Sequence, residues 1–94
     1  MLRLHWRETA LDDLDAIVLY IGERDLEAAF RLQATIEGCA ERLTEHPFMY
    51  RPGRLPGTRE AVVHPNYVLV YQVGSDSVEI VNVLHSRQQY PPEA

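Results

Sequence analysis

The 94 residues contain no lysine and only one cysteine, and nowhere do they hold the run of about 18 apolar residues that a membrane-spanning helix needs. The missing run excludes a helical membrane anchor within this sequence. A lone Cys39 excludes an internal disulfide, and no second ligand-rich cluster accompanies it to make a metal site. All nine basic side chains are arginine, a bias that genome composition alone can produce. Net positive charge is absent too: the formal net charge is −5. Residues 1–45 carry ten acids against five arginines, and residues 46–94 carry four of each. Proteins that grip nucleic acid by its phosphates are net basic or bear a basic stripe, so autonomous DNA or RNA binding is not expected. Arg3 and His5 stand where a signal peptide has its apolar stretch, which makes a reducing cytoplasm the expected location.

What is present suffices for one modest core. Apolar residues make up 46% of the chain, and a chain this short buries a smaller share of its surface than a longer one. One domain is expected over residues 1–91, with a flexible tail at 92–94. Leu2-Arg3-Leu4-His5-Trp6 alternates apolar and polar residues as a half-buried strand does. From Glu8 to about Gly22 the spacing becomes helical, with Leu11, Leu14, Ile17, Val18 and Ile21 forming a stripe and Gly22 suited to the C-terminal end. Asp25 can cap a second helix running from Leu26 to about Glu45, with Ala29, Leu32, Ile36, Cys39, Ala40 and Leu43 on one face. So short a join forces an antiparallel helical hairpin. Gly38 lies inside the second helix, a position where close packing would justify it.

His46 to Gly57 holds three prolines and two glycines, which predicts a loop. Three strands are then expected at Thr58–Val63, Tyr67–Val73 and Val78–His85, joined by tight turns into an antiparallel meander. The last is apolar on both faces and therefore central. The fold class is α+β, βααβββ: a helical hairpin packed on one face of a mostly antiparallel four-stranded sheet. Asn82 is the odd residue, since a polar side chain in an apolar strand must face the open side or find a partner.

Gly57-Thr58-Arg59-Glu60-Ala61-Val62-Val63, then Asn66 to Val73, then Val78 to Pro91 with its His85-Ser86-Arg87-Gln88-Gln89-Tyr90, resembles the RelE/ParE toxin family. Trp6, Ala10, Asp13-Leu14, Ile17 and Tyr20-Ile21 resemble its first strand and helix, and Pro47 with Gly53-Arg54 its loop. The resemblance implies the toxin of a type II toxin–antitoxin pair. Its partner would be a cognate antitoxin, a small protein with a DNA-binding N-terminus that wraps the toxin with a helix or extended segment. No cofactor, metal or membrane is implied.

RelE-type members cut mRNA on the ribosome, whereas ParE-type members poison DNA gyrase without catalysis of their own. Cleavage through the 2′-hydroxyl needs a base, cations for the charged intermediate and an acid for the leaving oxygen. Where the ribonucleases carry cations, this chain keeps Arg59 on a strand and Arg87 beyond the last one but has Ala61 and Val68. A valine neither donates to phosphate nor carries charge. The resemblance therefore implies ParE-like gyrase poisoning, with Arg54, Arg59, Arg87 and Tyr90 as the target-binding residues. The alternative is a RelE-like mRNA endoribonuclease built from His85, Arg87, Tyr90, Arg59 and His64. A third reading is a degenerate toxin that only binds its antitoxin. Cys39, on the apolar stripe of the second helix, reads as core.

Overall fold

The computed structural model describes residues 1–92. Its elements are β1 (Arg3–Trp6), α1 (Glu8–Gly22), α2 (Leu26–Leu43), β2 (Arg51–Pro52), β3 (Arg59–His64), β4 (Tyr67–Val73) and β5 (Ser77–His85). The strands form one sheet in the order β1-β5-β4-β3-β2. β1 runs parallel to β5, from Arg3 beside Ser77 to Trp6 beside Ile80, and the other pairings are antiparallel. The sheet has five strands, not four. Within the proline-rich loop, Arg51 pairs with Glu60 and Pro52 with Arg59, a two-residue edge that tolerates proline because nothing lies beyond it. Of the expected tail at 92–94, Glu93 and Ala94 lie outside the described residues, and Pro92 is exposed.

The helical hairpin packs on one face of the sheet as expected. α2 buries Ala29, Leu32, Ile36, Cys39, Ala40 and Leu43, the stripe legible in its spacing, and Asp25 caps it by accepting from the Ala28 amide at 3.0 Å. α1 keeps its expected stripe except at one end: Leu14 is buried and Ile17, Val18 and Ile21 pack against the core, but Ala10 is buried where Leu11 was expected, and Leu11 is 45% exposed. Gly22 ends α1 without a left-handed turn, since Gly57 alone has positive φ among the described residues. These helices cover Ala61, Leu69, Tyr71, Val78, Ile80 and Val83. Tyr71 is fully buried, and its hydroxyl donates to the Pro47 carbonyl at 2.8 Å, tying the loop to the sheet.

β5 is central at its start and becomes a bare edge where β1 ends. There α1 takes the place of a strand. The Arg7 amide donates to the Ile80 carbonyl, the Thr9 hydroxyl to the Val81 carbonyl, and the Val83 amide to Asp13 Oδ2 at 3.0 Å. A sheet edge satisfied in this way offers no template for a further strand. In the same stretch the pairing with β4 skips a residue: Tyr71 faces Ile80, but Val70 faces Asn82. Val81 is the extra residue of a bulge.

Candidate functional site

The face of the sheet turned away from the helices holds its own small apolar cluster, Val70, Val81 and Leu84, with the Tyr90 ring laid over it. Beside this cluster sits an acid with only 4% of its surface exposed. Glu60 alternates with its strand neighbours Arg59 and Ala61, so it points to the open face while they point to the helices. Its carboxylate accepts from Arg54 three ways: from the backbone amide at 2.8 Å, from Nε at 3.0 Å and from NH2 at 3.2 Å. Burial pushes the Glu60 carboxyl up, but the Arg54 hydrogen bonds and charge, with Arg51 behind them, outweigh burial and hold it below the ordinary glutamate value.

Gly53 makes this loop possible. A Cβ there would stand 2.5 Å from Thr58 Oγ1 and 3.1 Å from Glu60 Cγ. The Arg54 guanidinium also lies 5.8 Å from the centre of the Tyr90 ring. Tyr90 in turn donates its hydroxyl to Asn82 Oδ1 at 3.0 Å, and Asn82 Nδ2 donates to Asp13 Oδ2 at 2.9 Å. Burial raises the Tyr90 phenol, as do the charges of Glu60 and Asp13, against Arg7 and Arg54. Next to this group lies a shallow cleft of about 580 Å³, walled by Arg51, Arg54, Glu60, Val62, Val68 and Ser86.

Of the residues read from the sequence, Arg54 and Tyr90 are therefore brought together. Arg59 is not with them. Its partner across the ladder is the buried Tyr71, so it lies on the helical side, where NH1 donates to the Tyr50 carbonyl at 2.6 Å and the guanidinium covers the Phe48 ring. Arg87 is exposed just beyond β5.

His64 and His85 flank Tyr67 in one row across β3, β4 and β5, with ring centres 5.7 and 5.5 Å from it. The row lines a cleft of about 630 Å³ against Asp13, Ile17 and Tyr20 of α1, again on the helical side. Each imidazole Nδ1 accepts a backbone amide, His64 from Asn66 and His85 from Arg87, both at 3.1 Å. These bonds occupy Nδ1 of each ring and leave Nε2 as the nitrogen free for other contacts. No group of three candidate metal ligands occurs among the described residues. Cys39 is buried, and burial raises its thiol despite the Tyr50 and Arg42 contacts, so it is no nucleophile.

Glu60, Asn82 and Asp13 are site residues that sequence spacing did not assign. The strand alternation in Arg59-Glu60-Ala61 carried a signal for Glu60, because an acid at a position facing apolar neighbours needs a cation. Nothing local linked Asp13 to Asn82, which are 69 residues apart.

Residues 4–90 match the family described as ParE toxin of type II toxin-antitoxin system, parDE. Y4kP of Sinorhizobium fredii (NGR234) is 41% identical over 90 residues, spanning 95% of this chain and 93% of that protein. Toxin RelE2 of Caulobacter vibrioides is 39% identical over 88 residues, spanning 92% and 97%. Among solved structures, the chromosomal ParDE TA system from P. aeruginosa superposes with a TM-score of 0.80 at 22% identity, covering 90% of this chain and 96% of that one. At that identity the last likeness is one of fold. The family match takes in both helices and the full meander, and with it the chain belongs to the ParE family, the toxins of type II toxin–antitoxin systems.

Proposed function

We propose that this toxin arrests growth by binding DNA gyrase in the cytoplasm as a ParE-like inhibitor, through Tyr90, Arg54 and the exposed Arg87, and that a cognate antitoxin neutralises it. The observation that carries this reading is the scatter of the residues a ribonuclease would need. His64 and His85 lie on the helical side with Nδ1 held by backbone amides, Arg59 is engaged there with Tyr50, and Tyr90 is on the other face. Val68 and Val70 occupy the open face where a phosphate would need cations, and Arg54 is already neutralised by Glu60. An interaction surface of one aromatic and compensated charge suits a protein partner better than an RNA backbone. The net charge of −5 points the same way.

The test is induction with and without a cognate antitoxin, read by gyrase supercoiling and by primer extension on cellular messages. Inhibited supercoiling with intact messages is the expected result. Cuts at mRNA codons with normal supercoiling would replace this reading with the RelE-like one. No growth defect, together with a stable antitoxin complex, would mark a degenerate toxin.

A further inference from the structure

Both halves of the Asn82 amide are engaged, and their order is forced. A carboxylate only accepts, so the Asn82 amide nitrogen must face Asp13, where it lies 2.9 Å from Oδ2. The carbonyl oxygen is then left for Tyr90, whose hydroxyl has to donate to it at 3.0 Å. Asp13 is itself fixed by a second bond to the same oxygen, from the Val83 amide at 3.0 Å. The chain of bonds starts on α1, rounds the edge of β5 at its bulge and ends on the open face. There the Tyr90 ring rests on Val70, Val81 and Leu84.

We propose that Asp13 is a positioning residue for Tyr90, acting through Asn82. The chain thereby couples the helix-side cleft, which Asp13 lines, to the open face. Only its consequence for growth arrest rests on the open face being target-facing; the positioning is a property of the free toxin. The charged groups that face Tyr90 are Asp13 from α1, Arg7 just before it, Glu60 from β3 and Arg54 from the loop. Arg54 and the apolar cluster alone would leave the ring free to slide and turn. The directional bond to Asn82 selects one orientation.

The experiment is proton-detected NMR of the full chain with ring-labelled tyrosine, the Tyr90 signal being identified by its loss in Tyr90→Phe. Asn82→Ala is expected to weaken the ring contacts of Tyr90 with Val81 and Leu84. It should also bring the phenol's titration midpoint down, because a hydroxyl that donates to a carbonyl holds its proton more tightly. Asp13→Ala should do the same. Asp13→Asn keeps an acceptor for the Asn82 amide, so it should restore the ring contacts although it removes the charge. Tyr71, bonded to Pro47 on the other side of the sheet, should titrate as before in every variant.

Unchanged ring contacts and titration in Asn82→Ala would overturn the proposal, whether or not Asp13→Ala folds. Growth arrest should fall to the same extent in Asp13→Ala and in Tyr90→Phe, with no further loss in the double variant. Loosened ring contacts with full growth arrest in Asn82→Ala, Asp13→Ala and Tyr90→Phe would leave the positioning standing and remove the open face as the target-facing side. Lost arrest in Asp13→Ala with Tyr90 undisturbed would overturn the positioning.

Discussion

Arg54 closes on Glu60 with two guanidinium nitrogens and its own backbone amide, so one carboxylate holds both the charge and the turn of the loop. Glu60 is 4% exposed, whereas the Arg54 side chain is 39% exposed. The acid is therefore the buried partner that depends on the pair, and the arginine is the partner that solvent can compensate.

Acid should weaken the fold through this pair. The Glu60 carboxyl is held below its ordinary value of 4.5, so the stability it contributes is fully present above that pH. That stability is lost as pH falls further, through the folded value. Urea unfolding from pH 7 to pH 3 should show a loss in the wild-type protein that is smaller in Glu60→Gln. Equal acid sensitivity in both would remove the pair as its cause.

Arg54→Ala and Arg59→Ala should separate function from stability. Arg54→Ala leaves a buried carboxylate with only the loop amide, which costs about 1–3 kcal/mol, and removes a cation from beside Tyr90. Arg59→Ala loses a bond to Tyr50 on the opposite face. At equal amounts of folded protein, growth arrest should drop for Arg54→Ala and persist for Arg59→Ala.

Gly53→Ala should destabilise the chain by about 1–3 kcal/mol, because the added methyl overlaps Thr58 Oγ1, and Thr58 and Glu60 are both buried and hydrogen-bonded to Leu55 and Arg54. Thermal unfolding measures the loss, and the Arg54 guanidinium should become more mobile in the same variant.

Gly38→Ala should do the opposite. The closest atom to a Cβ at Gly38 is Arg42 NH1 at 3.6 Å, an ordinary contact with the end of a flexible side chain. Close packing therefore does not account for this glycine, and alanine should stabilise α2 by about 0.5–1 kcal/mol with growth arrest unchanged.

The amino-acid sequence by itself determined the helical hairpin, the meander and the buried stripe of α2. Each depends on residues three, four or two apart, and local periodicity reports such spacings directly. It also determined that Ala61 and Val68, two of the positions where the resemblance to RelE-type ribonucleases expects a cation, carry no charge in any conformation. Only the tertiary structure decided the rest. β2 is too short to have a period, and it exists because Arg51 and Pro52 meet Arg59 and Glu60 across a loop. Leu11 is turned outward because α1 must also cap the edge of β5 through Thr9 and Asp13. The division of the candidate residues between two faces follows from strand alternation combined with two register shifts, at Val63 in β3 and at Val81 in β5, and a one-residue insertion in a ladder leaves no trace in composition or spacing. Asp13, Asn82 and Tyr90 are brought into one line of hydrogen bonds by the packing of α1 against the end of β5, a contact between residues far apart in the chain.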